Sequence, residues 1–316
     1  MRAEERLTRL LPLSARPPDP IPWDNAADLL RYAGVEPDAT QEALLRSTAL
    51  DVLVNCNRQW GKSTIKAGKA LDRALRFPRS LVLLISPTLR QSGELFAKVL
   101  ELYADTGQRV KTQQESALTM KLVNGSRIVS LPGAERTVRG YSAVDLLIAD
   151  EASRIPDSLY YSVRPMLAVA RKMKGTGQFL AGSTPFGKVG WFYNEWVGLE
   201  DRQPQDINSE AWWAWRQDHD DGVARFRVKA TECERIDDEF LAKEALRMPE
   251  WWYAQEYNAE FREVVDAVFD AEAIADAFQG EGRALFQAPL DGYLMDDEAI
   301  LDPVEDRAPF LGGFRR

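Results

Sequence analysis

Asn55-Cys56-Asn57-Arg58-Gln59-Trp60-Gly61-Lys62-Ser63-Thr64 is the stretch on which the fold turns. A short apolar run, Val52 to Val54, enters it, and a helix-compatible run from Ser63 to Phe77 leaves it. Strand, loop and helix with Gly-Lys-Ser at the joint is the arrangement of a phosphate-binding P-loop. The first N–H groups of a helix have no intrahelical partner, and the helix dipole favours an anion beside them. In such a loop Lys62 reaches the β- and γ-phosphates of ATP, and the Ser63 hydroxyl holds Mg2+. Asn57, Arg58, Gln59, Trp60, Gly61, Lys62, Ser63 and Thr64 are therefore the candidate nucleotide-binding residues. One position departs from the pattern: the glycine usual five residues before Gly61 is Cys56. Gly-Lys-Ser-Thr also occurs where the glycine is a plain turn residue, so the rest of the chain has to support the reading.

It does so through three more strands. Leu81 to Ile85, Leu146 to Ala149 and Gln178 to Gly182 are short apolar runs of the kind that form parallel strands buried on both faces. They end in Ser86-Pro87-Thr88, Asp150-Glu151-Ala152 and Ser183-Thr184-Pro185. In open α/β sheets, ligands bind at the carboxyl ends of the strands. Gln91 to Tyr103 carries Leu95, Phe96, Val99, Leu100 and Tyr103 at helical spacing, as core positions. Leu118 to Val123 and Arg127 to Leu131 flank Asn124-Gly125-Ser126 and read as a hairpin. Asp24 to Ala33, Thr40 to Thr48, Asp237 to Arg247 and Glu250 to Phe261 read as helices, with Trp251, Trp252 and Tyr257 as packing residues. Ala224 to Lys229 alternates like an edge strand. The expected fold is an α/β P-loop NTPase of the helicase or RecA-like kind, with a mainly parallel central sheet flanked by helices.

Phosphoryl transfer needs charge neutralised on the γ-phosphate and a water held in line. Asp150 is the candidate to hold Mg2+ together with Ser63, and Glu151 to orient and deprotonate the water. Asp145 starts the same strand and should face away. A developing negative charge wants a cation. Arg58 lies inside the P-loop, and Arg139 lies in a loop before the Asp150 strand; an arginine finger is worth about 10³–10⁵ in rate. Arg139 can equally be a structural, salt-bridging residue. Ser183, Thr184 and Pro185 can sense the γ-phosphate and couple its loss to other parts, or simply end a strand. Gln41 can read an adenine edge or sit on a solvated helix.

Composition sets outer limits. The net charge of −9 argues against a protein coated in basic charge for static nucleic-acid binding. Cys56 and Cys233 are the two cysteines and His219 the one histidine, which excludes a disulfide framework or a Cys/His zinc site. No apolar run approaches a membrane span, and Met1 to Leu13 lacks the uninterrupted apolar segment of a signal peptide. Cytoplasmic placement is expected. Four prolines between Ala15 and Pro22 mark an extended linker. The expected organisation is an N-terminal arm and linker (1–38), an ATPase domain (39–262) and a C-terminal linker or tail (263–316).

Taken together, the Asn57–Thr64 loop, Ser86-Pro87-Thr88, Arg139-Gly140-Tyr141-Ser142, Leu146 to Ala152 and Ser183-Thr184-Pro185-Phe186-Gly187 resemble the ATPase domain of phage large terminase subunits. The resemblance runs from about Gln41 to about Val268. It implies ATP and Mg2+ as cofactors and ATP hydrolysis driving double-stranded DNA into a procapsid, in the cytoplasm of a bacterial host. It assigns phosphate and Mg2+ binding to Lys62 and Ser63, the acidic pair to Asp150 and Glu151, coupling to Ser183, Thr184 and Pro185, and arginine roles to Arg58 and Arg139. It implies a portal protein and a small terminase subunit as partners, no membrane, and a ring, usually a pentamer. Family members continue into an RNase H-like nuclease domain, whose carboxylate cluster is not expected here. The rivals are a helicase-like DNA-dependent ATPase and a nucleotide-binding, non-catalytic assembly subunit. For DNA contact, Arg164, Arg171, Lys172 and Lys174 compete with a solvated charged face. Trp212, Trp213 and Trp215 read as an aromatic cluster or subunit contact rather than as base-stacking residues.

Overall fold

A computed structural model describes residues 20–133, 140–198, 206–218 and 221–263. Eight strands form one sheet: β1 (Asp51–Cys56), β2 (Leu81–Ser86), β3 (Thr112–Ser116), β4 (Thr119–Leu122), β5 (Arg127–Pro132), β6 (Leu146–Asp150), β7 (Gln178–Ser183) and β8 (Val223–Val228). Their order is β3-β4-β5-β2-β6-β7-β1-β8. All pairings from β5 to β8 are parallel, and β3 and β4 add an antiparallel margin. The mainly parallel α/β sheet of a P-loop NTPase is thus present.

The apolar runs are continuous because both faces of the sheet are covered. Successive strand residues point to opposite faces. Val52, Val54, Val82, Leu84, Leu146 and Ile148 accordingly enter one core, and Leu53, Leu81, Leu83, Ile85, Leu147 and Ala149 the other. The first core is closed by α1 (Ala26–Tyr32), α2 (Ala39–Arg46), α3 (Lys62–Arg76) and α4 (Leu89–Asp105). The second is closed by α5 (Asp157–Val163), α6 (Ala168–Lys174), α7 (Gly190–Val197) and α8 (Glu210–Asp218). Two further helices, α9 (Asp238–Arg247) and α10 (Glu250–Glu256), follow β8.

Four differences from the sequence reading have physical causes. Part of the expected 1–38 arm packs on the sheet: Trp23, Ala26, Ala27, Leu29 and Leu30 are buried in the first core, and the Trp23 indole N–H donates to Asp72 at 3.1 Å. Gly68 lets α1 approach α3, since a Cβ there would lie 2.8 Å from a Leu30 methyl. The last helix stops at Glu256, and Ala259 at φ 55° turns the chain so that Phe261 enters the second core. Trp252, expected to pack, is 42% exposed. Finally, β3 gave no sequence signal because Thr112-Gln113-Gln114-Glu115-Ser116 is a polar edge strand with no apolar face to bury.

The chain divides into two compact units, Met1–Ala267 and Val268–Arg316. The second unit, the Met1 to Leu13 stretch, the proline linker up to Pro18 and Arg139 lie outside the described residues.

Candidate nucleotide site

The site is built on three neighbouring strands. β7 lies between β6 and β1, and all three run parallel. Their carboxyl ends therefore deliver Asp150, Ser183 and the P-loop to one edge of the sheet.

The loop leaves β1 at Cys56 and enters α3 at Lys62. Gly61 caps the helix in the left-handed region, φ 92°, where a side chain would be strained. Cys56 needs no such freedom: it closes the strand in register with Val228, and the positive-φ residues of the described chain do not include it. Its thiol is fully buried, and burial pushes its pKa up despite the nearby Lys62 and Lys66 ammoniums. The loop is tied down along its length. Asn57 N–H donates to Val228 C=O at 2.9 Å, and its side-chain oxygen accepts from Gln59 N–H at 3.0 Å. Trp60 is buried, with its indole N–H on Asp38 at 2.9 Å. The Trp60 carbonyl accepts from Gln41 at 2.7 Å and from Arg235 at 2.5 Å.

Gln41 is thus buried, braced between the loop and its own capping box with Asp38. It touches the P-loop rather than sitting on a solvated helix. Arg58 and Gln59 are the exposed members of the loop; the Arg58 side chain is 70% accessible and its guanidinium 3.6 Å from Glu256 at the end of α10. Ser63 and Thr64 lie half-buried in the first turn of α3, with Thr64 N–H on Gly61 C=O at 3.0 Å.

Lys62 is 6% exposed; its ammonium stands 3.7 Å from a Glu151 oxygen and 3.4 Å from the Arg58 carbonyl. The lysine and the second carboxylate therefore meet. Asp150 is buried in register with Gly182, and its partner is Lys66, at 2.6 Å. Glu151 has φ 49° and ψ 48°, left-handed backbone at a residue with a long side chain. The Ser183 and Ser153 hydroxyls lie 2.7 Å apart, with the Glu151 carboxylate 3.5 Å from the first and the Thr184 carbonyl 2.8 Å from the second, so two hydroxyl protons serve these three contacts. Ser183, Thr184 and the acidic pair thus form one connected group.

Hydroxyl and carboxylate oxygens are the donor set a hard cation takes. Among the described residues no cluster of three or more His, Cys, Asp and Glu side chains gathers. Mg2+ at a nucleotide requires none, since phosphates and waters supply most of its ligands. Ser63 and Asp150 fit that limited role.

Sequence reasoning missed Lys66, Glu256 and Arg235. A lysine inside a helix and an arginine after a short turn read as solvated surface, and the one signal for Lys66 is its spacing of four from Lys62, which puts both on one helix face. The basic stretch resolves into ion pairs at the opposite end of the sheet. Arg164 and Arg171 both bind Asp51, the latter at 2.9 Å, and Lys174 binds Asp145 at 3.1 Å; Lys172 is exposed. Burial would raise the Asp51 pKa, but hydrogen bonds from Arg171 and Arg164 outweigh it and hold it below the usual range. Asp145 also accepts the Leu81 N–H at 2.9 Å, facing away from the site as expected. Trp212 is fully buried, and Trp213 stacks on Trp196 at 5.8 Å with planes 6° apart. Trp215 is half-buried, and all three belong to the second core and its margin.

No family model matches the chain. Over 273 residues it is 29% identical to the terminase large subunit of Thermus phage G20c and 30% identical to that of Thermus virus P23-45. Each match covers 78% of this chain and 53% of the relative, so the chain spans about half the length of the curated relatives it matches. Among solved structures, the large terminase ATPase domain of Thermus phage P74-26 superposes with a TM-score of 0.63 at 24% identity, over 77% of this chain and 100% of that one. The large terminase of a thermophilic bacteriophage, solved in complex with ADP, superposes with a TM-score of 0.51 at 11% identity, over 70% and 52%. The P-loop edge, the acidic strand end and these likenesses agree: the chain is a relative of the phage terminase large subunits and has the fold of their ATPase domain.

Proposed function

We propose that the chain is the ATPase motor part of a phage terminase large subunit, hydrolysing ATP with Mg2+ to move double-stranded DNA into a procapsid. The observation that carries this is the meeting of Lys62, at the N-terminus of α3, with Glu151 and Ser183 at the ends of β6 and β7. In this reading the free N–H groups of α3 and the Lys62 ammonium bind the β- and γ-phosphates. Bound Mg2+ would neutralise charge on the phosphates, with Ser63 and Asp150 as its protein-side ligands. Glu151 accepts the proton of an attacking water and holds that water in line. Arg58, exposed at the rim, can swing from Glu256 onto the phosphates, and Arg139 is the second candidate cation, given in cis or by a neighbouring subunit. Ser183 bonds the same carboxylate, so it is placed to register loss of the γ-phosphate and pass it along β7 with Thr184 and Pro185. Gln41, through the Trp60 carbonyl, holds the loop where a nucleotide base would lie beside it.

The partners that go with this reading are double-stranded DNA, a portal protein, a small terminase subunit and further copies of the chain in a ring. The test is phosphate release by the purified chain with and without double-stranded DNA, beside Lys62→Ala. Hydrolysis that DNA stimulates and Lys62→Ala abolishes is the expected result. ATP binding without turnover, at any DNA concentration, would favour the non-catalytic assembly subunit instead.

A further inference from the structure

Lys66 lies one turn beyond Lys62 on α3 and is 2% exposed. Its ammonium donates to Asp150 at 2.6 Å and to the Gly182 carbonyl at 2.7 Å. Three elements of the site therefore converge on one nitrogen: the P-loop helix, the end of β6 and the end of β7. Gly182 shows that this approach is built in. A Cβ at 182 would lie 2.8 Å from the Lys66 Cε and 3.0 Å from its Nζ, so the lysine crosses the strand where a side chain is missing. The next residue is Ser183, which bonds Glu151.

A buried ion pair is weak grounds for stability, because desolvation offsets most of the attraction. Replacing such a pair by apolar residues of similar volume is often neutral or stabilising. What the lysine adds is direction. It occupies one oxygen of Asp150 from the α3 side and neutralises that carboxylate, while the backbone carbonyl it also holds belongs to the neighbouring strand.

We propose that Lys66 is a positioning residue of the nucleotide site: it orients Asp150 toward the metal, tempers its charge, and locks the end of β7 to the P-loop helix. This rests on the nucleotide reading given above. It makes the site a double pair, Lys62 with Glu151 and Lys66 with Asp150, in which the first pair exchanges partners with the nucleotide and the second stays in place. With Lys66 neutralising it, Asp150 offers a weakened charge and suits a water-mediated contact with Mg2+ rather than direct capture.

The experiment is equilibrium binding of a fluorescent ATP analogue to the full chain, titrated with Mg2+, for wild type, Lys66→Met, Gly182→Ala and Asp150→Asn. An ammonium 2.6 Å from a carboxylate competes with a metal ion for the same charge. Removing it is expected to lower the Mg2+ concentration at half-saturation about tenfold in Lys66→Met. Gly182→Ala, which pushes the lysine aside without changing charge, is expected to move it in the same direction by a smaller factor. In the Asp150→Asn background, Lys66→Met should produce no further shift, because the two side chains act as one unit. Folded variants whose Mg2+ half-saturation matches or exceeds that of wild type would overturn the proposal and leave a merely structural pair. If Lys66→Met does not fold, Gly182→Ala decides alone. A wild-type chain that binds no analogue would remove the nucleotide reading itself; one that binds it with unshifted variants removes this inference only.

Discussion

Glu151→Gln separates binding from chemistry more cleanly than any other substitution in this site. The amide has the shape of the carboxylate, so the left-handed backbone at 151 and the Ser183 contact at 3.5 Å can persist. What is lost is one negative charge, 3.7 Å from the Lys62 ammonium. At that distance, with the effective dielectric of about 20 that suits partly buried pairs, the attraction is about 4 kcal/mol before desolvation and screening. The Glu151 side chain is 22% exposed and that of Lys62 7%, so only part of this survives as a net gain. A phosphate that captures Lys62 has to overcome the remainder. Removing the charge is therefore expected to leave ATP affinity unchanged or to tighten it by up to about tenfold, equivalent to ~1.4 kcal/mol. Turnover should move the other way, because a general base contributes about 10²–10⁴ in rate. The assay pairs calorimetric ATP binding with single-turnover hydrolysis on the same preparation. Weaker ATP binding together with near-normal hydrolysis would refute the assignment of Glu151 as base and of Lys62 as its resting partner.

Three more outcomes follow from the same geometry. Glu151→Gly and Glu151→Ala both remove the carboxylate that faces Lys62, but glycine alone takes the left-handed backbone without cost, so the glycine variant should be the more stable of the two by of order 1 kcal/mol, with hydrolysis lost in both; equal stability would contradict strain at this residue. Trp23→Ala deletes a buried indole and its bond to Asp72 and should cost about 3–5 kcal/mol in a urea melt; a change under about 1 kcal/mol would return residues 20–38 to the status of an appended arm. Burial pulls the Lys69 pKa from 10.5 down to about 8, against the attraction of Asp72. The folded chain then gives up this proton before the unfolded chain does, so stability should rise with pH between those two values, and the penalty is fully present below about pH 8. From about pH 7.5 to about pH 9.5 the expected gain is about 1–2 kcal/mol in wild type relative to Lys69→Met, read from parallel urea melts; identical pH profiles would show that Lys69 stays ionised on the Leu45 and Ser47 carbonyls.

Much of the site was legible because its chemistry depends on residues adjacent in sequence. Gly61, Lys62 and Ser63 must be contiguous for a helix N-terminus to bind phosphate, and Asp150 and Glu151 must end a buried strand. Each requirement leaves a local mark, apolar run then polar residue, that survives without coordinates. What was not legible depends on residues brought together across the sheet. Lys66 is indistinguishable in sequence from Lys69, three positions on, yet one crosses Gly182 to reach Asp150 and the other caps the α2 carbonyls. The Arg58–Glu256 contact joins residues almost two hundred positions apart. Arg164, Arg171 and Lys174 looked available for DNA because their partners, Asp51 and Asp145, sit at the starts of strands, where no sequence rule pairs them. Cys56 was a real departure in letters and none in backbone, since its conformation does not require glycine.

The backbone at Glu151 explains how two consecutive carboxylates can serve one site. Along a strand, neighbouring side chains leave on opposite faces. Asp150 leaves β6 toward α3, where Lys66 meets it. An extended residue after it would carry its carboxylate to the other face, against α5 and α7, away from the P-loop. The left-handed turn at Glu151 reverses this and returns the second carboxylate to Lys62 on the α3 side. The conformation costs energy at a residue with a Cβ. Ser153 and Ser183 hold the turn from either side through their shared hydroxyl contact and the Thr184 carbonyl. The end of β7 is thereby tied to the one strained residue of the acidic strand. A shift of Glu151 toward or away from Lys62, as phosphate arrives or leaves, has to change the Ser183 contact with it. If Glu151 is the base proposed above, coupling requires no long pathway, because Ser183 at the end of β7 already stands 3.5 Å from its carboxylate.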